Sequence, residues 1–261
     1  GIFPFVCYEG DSMKVILGCE ILHQQGWSFP PVLEYEYRMQ PLTYIAIVTI
    51  KNLLPFFTCE QIYCFLTAVS GFIFLIGCVE FVRHISHETR VRILLAAMLL
   101  PEMYAIAMYP NSAIFAATLF IWAMICLCRD RYVTAGILMC IAVLFRVDIV
   151  VAYPAIFPLF IHEGKSLKNS ILLSVAYALV VTAVSLCFFW LLHEQVLSSM
   201  HGYSNWNSTI KTSQVLMAVF GYYSLTYIIL LPIGIYIIIR RKGWKELFLV
   251  LTPIIILHYV Y

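Results

Sequence analysis

The chain has 261 residues, of which 62% are hydrophobic and only 11% charged, with a net charge of +2. A soluble domain carries about 25% charged residues, so this composition excludes an ordinary water-soluble globule and makes a polytopic membrane protein the expected class. The nine cysteines are scattered through apolar runs with no Cys-x-x-Cys pair, which gives no ground for a disulfide framework or a zinc site.

Residues 1–40 form the longest polar stretch and open with Tyr8-Glu9-Gly10-Asp11. A short helix is predicted from Asp11 to Gln25, with Met13, Ile16, Leu17 and Ile21 as its apolar face. Asp11 or Ser12 would cap its start and Gly26 its end. At about 15 residues it is too short to span a bilayer and is expected to lie on the membrane surface. Residues 26–38 read as an aromatic, proline-rich loop. Residues 41–57 are apolar but short and contain Lys51 and Asn52, so they are expected to lie in the interface rather than cross it.

Clear spans are predicted at about 61–82, 93–109, 113–128, 169–192, 215–239 and from 247 onward. Residues 132–162 hold two short apolar runs broken by Arg146-Val147-Asp148, read as a helical hairpin with the charges at its tip. About eight spans follow in all. Four basic clusters (Arg83, Arg90 and Arg92; Arg129 and Arg131; Lys165 and Lys168; Arg240, Arg241, Lys242 and Lys245) then fall on one side, the cytoplasm. Residues 1–60 would form the first extracytoplasmic loop and 61–261 a helical bundle. The chain opens without a methionine and closes in an apolar run, so a fragment is expected, lacking an N-terminal anchoring helix and a C-terminal portion.

Two carboxylates at i and i+2 by a bilayer face suit either of two roles. Glu9 and Asp11 can bind a cation, or one can act as general base while the other orients it. The plain alternative is that Asp11 caps the helix and Glu9 is solvated. Arg38 brings a guanidinium near the acids, suited to a phosphate or to snorkelling. Arg146 and Asp148 sit at membrane depth, where charges pair with each other or serve function. His201, Tyr203, Trp206 and Asn207 mark an outer loop, as belt residues or as sugar contacts.

The Glu9-Gly10-Asp11 motif, the surface helix ending at Gly26 and the run Tyr37-x-x-Gln40-Pro41-Leu42-x-Tyr44 before a short apolar helix resemble the GT-C superfamily, polytopic glycosyltransferases that use polyprenyl-phosphate sugars. The likeness extends to the basic turn after the first span, the outer Tyr109-Pro110-Asn111 and the Arg146 hairpin. It is closest to the protein-mannosyltransferase and aminoarabinose-transferase branches. The resemblance implies an all-α GT-C-like bundle with interfacial helices in the first outer loop. Asp11 would be the base that deprotonates the acceptor hydroxyl, and Glu9 its helper. Arg38 and Arg146 would hold the donor phosphate. Tyr37, Gln40, Glu102, Asn111, Asp148, His201 and Tyr203 would line the substrate site. Glu102 is the only acid of the second outer loop, which departs from relatives and speaks against a metal-dependent mechanism. No cofactor is expected, a divalent cation at Glu9 and Asp11 being the alternative. The expected partners are a polyprenyl-phosphate sugar and membrane lipid, with no nucleic acid and the oligomeric state left open. The expected location is the bacterial inner membrane or its equivalent, with the site facing outward. The competing readings are a transporter or flippase of a lipid-linked or anionic solute, and a non-catalytic membrane subunit.

Overall fold

The computed structural model describes residues 10–26, 40–86 and 111–192, with six single positions between 233 and 244. Every regular element among the described residues is helical. The predicted spans at 93–109, 215–239 and beyond 247 lie outside them, apart from those single positions.

Helix α1 runs Gly10–Gln25. It already includes Gly10, so Asp11 stands inside its first turn and not at a cap. Its inward stripe is Ser12, Val15, Cys19 and Leu22, spaced i, i+3, i+7 and i+10 as one helix face requires. This corrects the expected face, because Met13 and Leu17 are exposed. The helix is apolar on two sides, and periodicity alone could not tell which side meets the protein. Gly26 ends it at φ +75°, a left-handed conformation that costs glycine little. Its N–H donates to the Leu22 carbonyl at 3.0 Å.

Helix α2 (Pro41–Leu53) starts on a proline and stops before Pro55, the two helix positions where a missing N–H does least harm. Thirteen residues rise about 20 Å, short of the ~30 Å hydrocarbon core. Lys51, the charged residue of this apolar run, is half-buried. Its ammonium donates to the carbonyls of Pro55 at 3.1 Å and Phe57 at 2.6 Å, closing the turn that follows.

Helix α3 (Cys59–Ser86) begins with a reciprocal cap. The Thr58 N–H donates to Gln61 Oε1 at 3.0 Å, and the Gln61 N–H donates to Thr58 Oγ1 at 3.1 Å. Glu20 of α1 adds its carboxylate, accepting the Cys59 N–H at 3.1 Å. A negative group at a helix N-terminus is stabilising, so this contact ties α1 to the start of α3.

Helices α4 (Ala113–Cys128) and α5 (Tyr132–Phe145) form a tight hairpin. The Cys126 carbonyl accepts from the N–H groups of Arg129 and Arg131, and Asp130 takes φ +56° between them. Helix α4 runs parallel to α3. Tyr63 and Phe115 rings meet at 6.2 Å, Thr118 donates to the Ser70 carbonyl, and Trp122 donates to the Ile73 carbonyl. This parallel order brings Arg83, paired with Glu80 at 2.8 Å, to the same end as Arg129 and Arg131. The opposite end collects the start of α3, the start of α4 and the end of α5. The core joining these helices includes Val15, Cys19, Tyr44, Ile47, Tyr63 and Phe115, with Phe145 packed on it.

The described residues fall into two compact units, one closing at Ile149 and the other opening at Val150. The chain passes between them in a 3₁₀ helix, Val147–Ala155. The break at Arg146 is where the sequence put it. The second limb of the expected hairpin is not one helix, however, but this 3₁₀ stretch followed by α6 (Ile156–His162). Pro154 and Pro158 account for that, since each removes an i→i−4 bond. In the second unit, Gly164 turns the chain at φ +79° and Ser166 caps α7 (Leu167–Leu192), accepting the Asn169 N–H at 3.3 Å. Phe160 and Tyr177 rings, 6.4 Å apart, join α6 to α7.

Two helices are long and apolar enough to cross a membrane, at Cys59–Ile85 and Leu167–Cys187. Only 33% and 17% of their most apolar windows are buried, whereas the core helix of a soluble protein would be mostly covered. The exposed apolar residues of α3 (Phe65, Val69, Phe72 and Ile76) recur at i, i+4, i+7 and i+11, one continuous stripe. Helices α4 and α5 are equally apolar but shorter, at 16 and 14 residues; the bounds expected for the 113–128 span hold, but not its bilayer length.

Candidate functional site at the Arg146 end of the first unit

Arg146 ends α5 in an extended conformation, φ −162° and ψ 115°, with its N–H donating to the Ala142 carbonyl at 2.9 Å. The backbone turn aims the guanidinium across to the start of α4. There Nη1 lies 3.3 Å from Asn111 Oδ1 and 3.5 Å from Ser112 Oγ. Both neighbours are neutral oxygens at long hydrogen-bonding distances. They orient the guanidinium toward the start of the helix.

Asn111 has a second task. Its side-chain oxygen accepts the Ala113 N–H at 2.9 Å and so caps α4. The residue thereby fixes the helix start and the arginine with one atom. Ser112 is buried, and the Tyr63 hydroxyl lies within its hydrogen-bonding reach and in the field of Arg146.

The first turn of α2 closes the other flank. Thr43 Oγ1 donates to the Phe145 carbonyl at 3.3 Å, the residue just before Arg146. Gln40, at the entry to α2, is only 4% exposed, and its Oε1 has no hydrogen-bond partner. An unsatisfied buried amide oxygen costs about 1–3 kcal/mol, which a structure tolerates best where a ligand or water completes it.

Helix α1 reaches the same end. Gly18 packs on Tyr44, and further along His23 Nδ1 donates to Asn52 Oδ1 at 2.8 Å. Both pairs ascend in number, so α1 and α2 run parallel. The first turn of α1, with the Asp11 backbone in it, therefore lies at the end where α2 begins and α5 stops. Burial pushes the Cys19 thiol far above its ordinary range, so it is a packing group here and not a nucleophile.

Of the residues singled out from sequence, Gln40, Asn111 and Arg146 belong to this end of the unit. Asp11 and Asp148 have described backbones in α1 and in the 3₁₀ helix. Glu9, Tyr37, Arg38, Glu102, His201 and Tyr203 lie outside the described residues. Thr43, Ser112 and Tyr63 were missed. The first two sit inside motifs already noted, between Leu42 and Tyr44 and directly after Asn111, and small hydroxyls there carried the only signal. Tyr63 looked like one more aromatic of an apolar span. No known protein family, no curated protein and no solved structure matches this chain.

Proposed function

We propose that the chain is the membrane core of a glycosyltransferase that moves a sugar from a polyprenyl-phosphate donor to an acceptor hydroxyl, on the extracytoplasmic side and with inversion. It is read as a polytopic GT-C-like protein. The observation that carries this reading is the gathering of Arg146, Asn111, Ser112 and Gln40 at the end of the first unit opposite Arg83, Arg129 and Arg131. Basic residues favour the cytoplasm, so the Arg146 end faces outward, where α1 brings its first turn.

The chemistry asks little of the protein. The Asp11 carboxylate takes the acceptor proton, with Glu9 orienting it. The freed oxygen attacks the anomeric carbon from the face opposite the phosphate. The bond from that carbon to the phosphate oxygen breaks, and its electrons leave with the lipid phosphate. Arg146 and Arg38 meet the developing charge with preorganised donors. Gln40 offers an amide to the sugar. A lipid phosphate is a good leaving group, so side-chain cations suffice for its charge.

A transporter of a lipid-linked or anionic solute is the second reading. It is favoured by the helix broken at Arg146 and resumed as a 3₁₀ stretch, since discontinuous helices recur in transporters. Replacing Asp11 by Asn in the protein and assaying sugar transfer separates the two. The enzyme reading expects transfer to fall by about 10²–10⁴-fold, the usual worth of a general base. Undiminished transfer removes Asp11 from the reaction, and solute uptake into vesicles with no covalent product favours the transporter.

A further inference from the structure

The turn joining α2 to α3 is built unlike a surface loop. Leu53 and Phe56 are 73% and 74% exposed, and Leu54 and Phe57 are exposed beside them. Four large apolar side chains thus stand out from five consecutive residues, with the Phe56 and Phe57 ring centroids 4.6 Å apart and the rings tilted by 48°. Its backbone is closed on itself. The Leu54 N–H donates to Ile50 at 2.8 Å and the Phe57 N–H to Leu54 at 3.2 Å. Pro55 has no N–H, and Lys51 binds the carbonyls of Pro55 and Phe57. The C=O of Leu53 and the N–H and C=O of Phe56 stand outside this set.

A loop in water gains only about 0.5–1.5 kcal/mol from each such bond, because water also satisfies exposed peptide groups. In hydrocarbon each unsatisfied group costs several kcal/mol. Polar groups gather at the base of the turn, with the Lys51 ammonium, the Asn52 amide and the Thr58–Gln61 cap behind the apolar tip. That order, apolar tip and cationic base, matches acyl chains below phosphate headgroups. The lipid-facing stripe of α3 begins at Phe65, about two helical turns beyond the wedge.

We infer that residues 53–57 are a membrane wedge whose apolar tip inserts into the acyl region of the outer leaflet while Lys51 stays at headgroup level. The inference rests on the membrane reading above and not on the reaction. The wedge anchors α2 and, through the His23–Asn52 and Glu20–Cys59 contacts, holds α1 against the bilayer surface.

The test is photo-crosslinking of the full protein in phosphatidylcholine–phosphatidylglycerol nanodiscs, with p-benzoylphenylalanine at position 56, at position 72 on the exposed stripe of α3, or at position 24 on α1. Mass spectrometry then reads the adducts. A phospholipid adduct at 56 and 72, and little or none at 24, is the expected result. An adduct at 72 with none at 56 overturns the wedge and leaves the membrane reading standing. A protein–protein crosslink at 56 assigns the surface to a partner or a second copy and overturns it equally. Absence of lipid at both 56 and 72 sinks the membrane reading and the wedge with it. Phe56→Asp, at an exposed position, serves as the second probe. It is expected to keep the thermal melting of the protein in detergent while the lipid adduct recorded from a benzophenone at position 57 is lost. An unchanged adduct there overturns the wedge.

Discussion

Gly18→Ala is the most informative single change outside the reacting groups. A methyl at Gly18 would sit 2.6 Å from Tyr44 Cε1, against an ordinary carbon contact of about 3.5–4.0 Å. Helix α1 or the Tyr44 ring must therefore give way by about 1 Å. The ring has nowhere to go, since Tyr44 is fully buried with Ile47 and Tyr63 around it. Over-packing of this kind costs about 1–3 kcal/mol, while exchanging glycine for alanine within a helix returns up to about 1 kcal/mol. The net expectation is a loss of about 1–2 kcal/mol. Because α1 carries Asp11 in its first turn, the same displacement should lower sugar transfer by up to about 10²-fold, as misplacing a reacting group by an ångström does. Denaturant titration of the purified protein and a transfer assay read the two effects. In a Tyr44→Leu background the obstruction is gone, and Gly18→Ala should then stabilise by up to about 1 kcal/mol. If Gly18→Ala stabilises the unmodified protein by that amount, α1 does not cross α2 at Tyr44, and the placement of Asp11 argued from that crossing fails.

Three further outcomes follow from particular contacts. Thr58→Ala removes one half of the reciprocal cap on α3 and should cost about 1 kcal/mol in unfolding free energy, with Thr58→Ser retaining most of it. Cys19, its thiol pushed up by burial, should resist iodoacetamide at pH 8 in the folded protein and react once denatured, as peptide mass mapping would show; alkylation in the folded state would place it outside the core. Arg146→Lys keeps the charge but not the guanidinium whose Nη1 reaches Asn111 and Ser112, nor its bidentate fit to phosphate, so affinity for the lipid phosphate should fall less than in Arg146→Ala, the two separated by a binding titration with polyprenyl phosphate; equal affinities in all three proteins would remove Arg146 from the phosphate site.

Much of the architecture was legible before any coordinates. Composition gave the all-helical class, glycine and proline marked the ends of α1 and α2, and basic residues foretold that Arg83 and Arg129 share an end. What remained hidden was orientation within apolar segments. In α1 both Met13-Leu17 and Val15-Cys19 form helical stripes, and only packing shows that the second faces inward. Lys51 read as a burden on an apolar run, yet it is the group that closes the Leu53–Phe57 turn. That bond depends on a turn geometry which spacing does not reveal. The site was half legible for the same reason. Charged Arg146 interrupts an apolar run and is conspicuous, whereas Thr43 and Ser112 are small hydroxyls that matter only because two helix ends bring them beside it.

The claim at the centre of this account is that the Arg146 end of the bundle handles a lipid phosphate during sugar transfer. Its most direct test is the release of polyprenyl phosphate from a polyprenyl-phosphate sugar by the protein in proteoliposomes, followed by chromatography. Release by the unmodified protein in the presence of acceptor is expected, slowed about 10²–10³-fold by Arg146→Ala, the usual worth of a preorganised charge-stabilising donor. Release no faster than from protein-free vesicles, or release indifferent to Arg146→Ala, would contradict it.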